Sequence, residues 1–257
     1  MRILLTGATG AIGKEIAGIM AEKRHELILG CRSAKKGDAL ADEIAGRYGI
    51  RPQVAVIDLS DSSSVSRAAN HLAGTKIDAV IHNAGVMNGK YILDDDGHED
   101  TLNVNYHNTR LLTEMLLDNI SDNGSVIFTT SATRRWYPLQ HLREDIPESA
   151  FGRLKTYSLS KKLITRYAAS LADDNKIKTR GIRVNCVDPG VVNTPMLAMG
   201  KWFDRLTDIF FRPFCLRPST AAATSLRAIE SPLSGYIFKS PYGKCRNRKK
   251  LDDDIKY

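Results

Sequence analysis

Short apolar runs alternate along the chain with stretches whose apolar residues recur at helical spacing. The first run, Ile3–Leu5, leads into a glycine-rich turn, and the apolar positions Ile12, Ile16 and Ile19 then predict a helix. Six further runs predict strands: Glu26–Gly30, Gln53–Ile57, Ala79–Ile81, Ser125–Ser131, Ile182–Val187 and Gly235–Phe238. Strands that alternate with helices indicate an α/β fold, a doubly wound, Rossmann-like parallel sheet with helices on both faces.

The predicted helices between these strands are Ala34–Tyr48, Val65–Leu72, His98–Asn119, a helix around Tyr157, and Ser219–Ile229. In the third of them, Asn103, Asn105 and Asn108 interrupt the apolar pattern. Asparagine competes for main-chain hydrogen bonds inside a helix. The sequence therefore predicts a kink with a polar function at Asn105.

The 257 residues are 42% hydrophobic and 26% charged, which is an ordinary globular composition. No linker, low-complexity tract or internal repeat divides the chain, so we predict one domain over residues 1–257, with the cofactor-binding and catalytic core in 1–190. We expect neither a signal peptide nor a membrane span, because no run approaches ~20 apolar residues. Four scattered cysteines favour a cytoplasmic protein and argue against a metal site.

The net charge of +8 invites a nucleic-acid interpretation. The only dense cluster lies in residues 244–257, which hold six Lys/Arg; five of these are followed closely by Asp252, Asp253 and Asp254. Charged runs of this kind usually stay in water. We therefore predict a solvated basic and acidic tail and no specific nucleic-acid partner.

The turn after the first strand reads T-G-A-T-G-A-I-G and ends at Gly13. Gly7 would allow a tight turn, Gly10 would let the backbone approach a pyrophosphate, and Gly13 would let the helix pack on the sheet. A strand, a glycine turn and a helix in this order predict a dinucleotide site. The alternative is an ordinary tight turn.

The second strand ends in Cys31-Arg32-Ser33, without the acidic residue that would hold the ribose 2′-hydroxyl of NAD. Arginine matches phosphate oxygens as a planar fork, so Arg32 favours NADP over NAD. The alternative is that Arg32 only begins the next helix.

Polar residues also follow the next two strands. Asp58 either contacts an adenine ring or caps a turn with Ser60 and its neighbours, and both interpretations stay open. His82-Asn-Ala-Gly85 follows the fourth strand at the sheet edge where ligands of open α/β sheets bind. His82 itself is predicted to be structural.

Two hydroxyls and one ammonium form the candidate reaction centre. Tyr157 and Lys161 are four residues apart and therefore share one helix face. A nearby cation favours the phenolate and would lower the pKa of Tyr157, making it a proton donor and acceptor. Ser131 at the end of the fifth strand would hydrogen-bond a substrate oxygen, or would simply end the strand.

Residues 191–218 are predicted to form a lid over an apolar substrate. Apolar side chains concentrate in this segment after Thr194, at Trp202, Phe203, Leu206, Ile209, Phe210, Phe211 and Phe214. A closed core segment and an interfacial amphipathic helix are the alternatives.

Taken together, these motifs resemble the short-chain dehydrogenase/reductase family from about Arg2 to Phe238. They are T-G-A-T-G-A-I-G, H-N-A-G, N-V-N-Y, T-T-S, Y-S-L-S-K and D-P-G-V-V-N-T. The stretches L-G-C-R-S, N-A-G-V-M, D-G-H-E and L-N-V-N-Y-H-N-T-R-L-L-T are most similar to the retinol dehydrogenase-like branch.

The resemblance implies roles for the matching positions. Tyr157 would be the general acid and base, Lys161 would lower its pKa and bind the nicotinamide ribose, Ser131 would polarise the substrate oxygen, and Asn105 would hold a water in a proton relay. The implied cofactor contacts are Gly7, Gly10, Ile12, Gly13, Arg32, Asp58, Asn83, Tyr157, Lys161 and Thr194. A homodimer or homotetramer is also implied.

The implied function is NADP(H)-dependent hydride transfer to or from the carbonyl or alcohol of an apolar small molecule. Ala11 departs from the glycine of most compact members, and glycines at 7, 10 and 13 also occur in epimerase-like members. A sugar-nucleotide epimerase or dehydratase is therefore one alternative, although only 67 residues follow Gly190. A non-catalytic NADP-binding sensor is the other.

Overall fold

One sheet organises the computed structural model, which describes residues 1–192, 215–240 and 248–251. Its strands follow the order β3-β2-β1-β4-β5-β6-β7-β8. The strands are β1 (Arg2–Thr6), β2 (Glu26–Cys31), β3 (Gln53–Val56), β4 (Ile77–His82), β5 (Ile120–Thr129), β6 (Arg183–Asp188), β7 (Tyr236–Lys239) and β8 (Arg248–Lys250). Strands β1 to β7 are parallel, whereas β8 is antiparallel to β7.

Helices connect the strands. They are α1 (Ala11–Glu22), α2 (Ala34–Tyr48), α3 (Ser62–His71), α4 (Asp100–Leu102), α5 (Asn108–Leu116), α6 (Arg153–Asp173), α7 (Asn175–Thr179) and α8 (Pro218–Glu230). A π-helical turn, Asn103–His107, joins α4 to α5, and a 3₁₀ turn, Ala132–Trp136, follows β5. Further 3₁₀ turns are Leu117–Asn119, Leu139–His141 and Glu148–Ala150.

Two hydrophobic cores lie on the two faces of the sheet, because successive side chains of a strand point to opposite faces. In β1, Leu4 packs into the core that contains Leu112 of α5 and Leu163 of α6. Its neighbours Ile3 and Leu5 pack into the other core, with residues of α1, α2 and α8. The predicted parallel sheet with helices on both faces is thus confirmed.

The chain order reverses at β1, which lies between β2 and β4. In open α/β sheets, a crevice forms outside the carboxyl ends of the strands at such a point. The glycine turn after β1 and Asn83 after β4 both lie there.

Two predictions about local structure need correction. The helix predicted over His98–Asn119 is divided, and Asn105 lies in its π-helical turn, where the sequence predicted a break. The prediction of a solvated tail is wrong for its described part, because Arg248–Lys250 pairs with Tyr236–Phe238 through the main chain and Leu251 is buried. The polar sequence of this edge strand does not indicate the pairing, because the pairing depends on main-chain hydrogen bonds.

Candidate active site

The glycine turn is shaped by close backbone contacts. Gly7 has a φ of 64°, and a Cβ there would lie 2.8 Å from the Cα of Ala84. A Cβ on Gly13 would clash with the carbonyl oxygen of Gly7. Gly10 precedes α1 without a capping side chain, so the first amide groups of the helix face an open cradle. This cradle suits a phosphate group.

Asn83 braces the same turn from β4. Its side-chain amide donates to the carbonyl oxygens of Thr6 at 3.2 Å and Gly7 at 3.3 Å. The Thr6 hydroxyl accepts from the main-chain amides of Asn83 and Ala84. Ile12, the second residue of α1, is partly exposed beside the turn. The switch point is therefore held by polar contacts between β1 and β4.

Arg32 at the end of β2 is exposed and makes no hydrogen bond or ion pair with its side chain among the described residues. A depression of about 370 Å³ lies between α1 and α2, and Lys14, Lys36, Thr9 and Glu43 contribute to its lining. Two lysines and an arginine are thus available beside the glycine turn.

Asp58 follows β3 and forms a local turn. One of its carboxylate oxygens accepts from the Ser60 amide at 3.0 Å and from the Ser60 hydroxyl at 2.7 Å. The turn-capping interpretation of Asp58 matches these bonds. Its contact with an adenine ring stays a prediction.

Tyr157, Lys161 and Ser131 come together at the carboxyl end of β5. The Ser131 side chain faces the Tyr157 hydroxyl closely enough to lower its pKa. The Lys161 ammonium lies 5.6 Å from the centre of the Tyr157 ring and donates to the Thr129 carbonyl oxygen at 3.0 Å. The spacing of Tyr157 and Lys161 on α6 therefore delivers both groups to one place.

Burial has the largest effect on the pKa values of Tyr157 and Lys161. It raises the pKa of Tyr157 to about 12, an effect that the Ser131 hydrogen bond opposes and the Asp188 charge reinforces. Burial also lowers the pKa of Lys161 to about 8. Lys161 is not among these causes, so the expectation that it lowers the pKa of Tyr157 stays a prediction. A protonated phenol beside a hydroxyl can donate a proton to a substrate oxygen.

Asn105 is fixed on three sides. Its side chain accepts from the Val86 amide at 2.8 Å, donates to the Val86 carbonyl at 2.8 Å, and donates to the Ser160 hydroxyl at 3.0 Å. A Cβ on Gly85 would lie 3.2 Å from Asn105 Oδ1 and 3.3 Å from Lys161 Nζ. The missing side chain at Gly85 thus lets Asn105 and Lys161 approach each other.

Two threonines near this group were missed by sequence reasoning. The Thr130 hydroxyl lies 2.6 Å from that of Thr165, and Thr165 also donates to the Lys161 carbonyl at 2.6 Å. The only sequence signal is that Thr165 is four residues after Lys161. Together they fix the helical turn that carries the lysine against the end of β5.

A buried ion pair was also missed. Arg134, three residues after Ser131, lies 3.1 Å from Asp188 at the end of β6. The signal available in the sequence was an acidic residue directly before Pro189-Gly190.

Known proteins resemble this chain over most of its length. Residues 7–216 match the family model described as enoyl-(acyl carrier protein) reductase. Retinol dehydrogenase 12 of Mus musculus is 30% identical over 250 residues, which cover 92% of this chain and 76% of the mouse protein. The chain belongs to the short-chain dehydrogenase/reductase family.

Further comparisons agree with this assignment. Retinol dehydrogenase 11 of Homo sapiens is 31% identical over 229 residues, covering 87% of this chain and 71% of the human protein. A short chain dehydrogenase from Escherichia coli CFT073, solved in complex with NADPH, has a TM-score of 0.70 and 26% identity, with coverage of 93% and 96%. The protein is therefore an oxidoreductase that uses a nicotinamide cofactor and acts on CH–OH groups.

His82 has a structural place in this short-chain dehydrogenase. Its ring stacks on Phe128 with centroids 4.9 Å apart, and its Nε2 lies 2.9 Å from the Thr113 hydroxyl. Burial lowers the pKa of His82 to about 3, so the ring is neutral at physiological pH.

The segment predicted as a lid, including Thr194, lies largely outside the described residues. Its described ends are joined, since the Leu216 amide donates to the Val191 carbonyl at 2.8 Å. Across the described part of this short-chain dehydrogenase, none of the helices combines the length and apolar character needed to cross a bilayer.

Proposed function

We propose that this protein is an NADP(H)-dependent carbonyl reductase or alcohol dehydrogenase that acts on an apolar small molecule. The observation that carries the proposal is the convergence of Tyr157, Ser131 and buried Lys161 at the carboxyl end of β5. In reduction, a carbonyl carbon receives a hydride and its oxygen receives a proton, which yields an alcohol. Oxidation is the reverse.

The site fits a dinucleotide. Gly7, Gly10, Ile12 and Gly13 would hold the pyrophosphate, because no side chain caps the start of α1 and its first amide groups face the open cradle. Asn83 shapes this cradle from the other side. A bound nicotinamide supplies the hydride.

Positive charge beside the cradle favours NADP over NAD. Exposed Arg32, together with Lys14 and Lys36 at the depression between α1 and α2, would take a 2′-phosphate. Asp58 would contact the adenine, Lys161 would contact the nicotinamide ribose, and Thr194 would be a further cofactor contact.

The protein's own groups would handle the proton and orient the substrate. Ser131 would donate to the substrate oxygen, and Tyr157 would give it a proton as negative charge develops there. Lys161 would stabilise the resulting phenolate by its charge. Asn105, beside Lys161, would hold a water that returns the proton from solvent.

Apolar side chains at this end of the sheet support an apolar substrate. Trp136 follows Ser131 in the 3₁₀ turn and is 65% exposed, Val191 is 62% exposed, and Leu154, one turn before Tyr157, is 47% exposed. An exposed aromatic and two exposed aliphatic residues would cover an apolar molecule.

A panel of aldehydes, ketones and alcohols, assayed with NADPH and NADH by nicotinamide absorbance, tests the proposal. Tyr157→Phe should lose turnover of whichever compound reacts, while NADPH binding by calorimetry is kept. Full activity of this variant would overturn the mechanism. Tight NADPH binding without turnover of any compound would favour a cofactor-binding sensor instead.

The quaternary structure and compartment are separate parts of the proposal. We infer a homodimer or homotetramer from the family resemblance, and a cytoplasmic location from the scattered cysteines, of which Cys31 forms no disulfide. Light scattering of the purified protein measures the first, and fractionation of cells measures the second.

A further inference from the structure

An ion pair between Arg134 and Asp188 is buried next to the proposed proton donor. Only 2% of the Arg134 side chain and 6% of the Asp188 side chain are exposed. Arg134 belongs to the 3₁₀ turn after β5, and Asp188 is the last residue of β6. The pair therefore bridges two neighbouring strand ends at the carboxyl edge of the sheet.

The pair holds the main chain at Ser131. One guanidinium nitrogen, Nη1, donates both to Asp188 at 3.1 Å and to the Ser131 carbonyl oxygen at 2.6 Å. The Arg134 amide donates to the same carbonyl at 3.2 Å. On the other side, the second Asp188 carboxylate oxygen accepts from the Gly190 amide at 3.1 Å. Arg134 thus fixes the residue whose hydroxyl meets Tyr157.

The groups around Tyr157 make the pair electrostatically significant. Lys161 faces the ring from α6, and Ser131 lowers the pKa of the Tyr157 hydroxyl from the end of β5. Asp188 acts from β6, where its charge raises the pKa of Tyr157, and Arg134 lies against that carboxylate. Cys186, also on β6, raises the pKa of Lys161 by its charge.

Stability alone explains the pair poorly. Burying two charges removes them from water, and apolar residues of similar volume often stabilise a fold as well or better. A buried pair beside a reacting group is better explained by its effect on the position and the electrostatic environment of that group. Arg134 and Asp188 are also not among the site residues predicted from the glycine turn, the Tyr157 helix and Ser131.

We propose that Arg134 and Asp188 are positioning residues for the proton-transfer step, holding Ser131 in register with Tyr157 and setting the charge that Tyr157 experiences. The inference rests on the proposed function for the identity of that step. Neither residue needs to touch the substrate. Loss of the pair should therefore lower kcat more than it changes the Kd for NADPH.

The two single variants give opposite expectations. Reduction needs a protonated Tyr157, so its rate falls as pH rises through the pKa of that residue. Asp188→Asn removes a negative charge, which should move this alkaline fall to lower pH by up to about one pH unit. Arg134→Gln removes a positive charge and should move it to higher pH. Both should lower kcat by roughly tenfold to a hundredfold, because Ser131 loses its fixed position.

Controls separate these effects from damage to the fold. Asp122→Asn breaks an exposed ion pair with Arg180 at the opposite end of the sheet, and it should leave both kcat and its pH profile unchanged. The double variant Arg134→Met, Asp188→Asn removes both charges, so its alkaline fall should return toward that of the wild type. Thermal unfolding of each variant confirms that the protein is folded.

A titration that needs no turnover distinguishes failure of this inference from failure of the proposed function. The phenolate of Tyr157 is followed by ultraviolet absorbance as the difference between each protein and the same protein carrying Tyr157→Phe. Opposite shifts in Asp188→Asn and Arg134→Gln support the role of the pair even if no carbonyl compound is reduced. Unchanged titrations and unchanged pH profiles in both folded variants would overturn it.

Discussion

The Lys161 ammonium donates to the main-chain oxygen of Thr129 at 3.0 Å, and it lies 5.6 Å from the centre of the Tyr157 ring. The lysine therefore anchors α6 to the end of β5 as well as facing the tyrosine. Its side chain is buried, and burial lowers its pKa to about 8. Keeping the positive charge of Lys161, which the proposed mechanism needs, therefore lowers the free energy of unfolding.

The first prediction concerns Lys161→Met. The pKa of Lys161 is 10.5 in the unfolded chain and about 8 in the folded protein, so between these values the unfolded chain binds the extra proton. Wild-type stability should therefore rise with pH across this window, by up to roughly 3 kcal/mol. Lys161→Met should lose that rise, and should lower kcat by about a hundredfold or more.

Urea unfolding at a series of pH values between 8 and 10 measures the effect. The upper end is kept near pH 10. Above pH 10 the titration of Tyr157 also changes the free energy of unfolding, because burial raises the pKa of Tyr157 to about 12 in the folded protein. Lys155→Met, on the exposed face of the same helix, is the matched control and should keep the wild-type slope. An equal slope in Lys161→Met would show that Lys161 carries no such penalty.

The second prediction concerns cofactor choice. Arg32→Glu replaces an exposed cation at the end of β2 with an acid that can bind a ribose 2′-hydroxyl. The KM for NADPH should rise by about tenfold to a hundredfold, while the KM for NADH stays constant or falls. Initial rates with both cofactors give the ratio.

Lys76→Glu makes the same change of charge at an exposed site at the other end of the sheet. It should leave the ratio of the two KM values unchanged. If Arg32→Glu raises the KM values for NADPH and NADH equally, a contact between Arg32 and the 2′-phosphate is excluded, and a general effect of charge explains the change.

The main features of the site were predictable because they follow from local spacing. Tyr157 and Lys161 share a helix face at four residues' separation, and Gly7 lies where a strand must turn sharply into a helix. Parallel strands place their carboxyl ends at one edge, which brings Ser131 to the same place. The first two arguments use residues within one element or its connection, and the third needs only that the strands are parallel.

What could not be predicted depends on partners far apart in sequence. Arg134 meets Asp188 across 54 positions, and Thr130 meets Thr165 across 35. Neither partner carries a pattern of its own. The net pKa of Tyr157 likewise depends on burial by the whole fold, which raises it, and the spacing to Lys161 alone could not show this.

The third prediction concerns Asn105→Ala. The substitution removes three side-chain hydrogen bonds and leaves the amide and carbonyl of Val86 without these partners. Unsatisfied buried groups cost about 1–3 kcal/mol each, so the free energy of unfolding should fall by roughly 2–4 kcal/mol. The kcat should fall as well, since Asn105 lies next to Lys161.

Ser160→Ala is the comparison, because it removes only one of the three bonds to Asn105. It should cost about 1 kcal/mol and leave the Val86 contacts intact. Urea unfolding of both variants gives the difference. Equal losses would mean that the contact between Asn105 and Val86 adds nothing to the stability of the π-helical turn.

The last prediction concerns the acid stability that His82 controls. Burial lowers the pKa of His82 from 6.5 in the unfolded chain to about 3 in the folded protein. Between these values the unfolded chain binds the proton and the folded protein does not, so stability is lost as pH falls through this window, by up to roughly 5 kcal/mol. His82→Phe keeps a ring against Phe128 and cannot be protonated, so it should flatten this acid loss. His71→Gln, at an exposed histidine, should not flatten it. Unfolding free energies measured from pH 7 to pH 4 decide the matter, since an unchanged acid slope in His82→Phe would assign the loss to other groups.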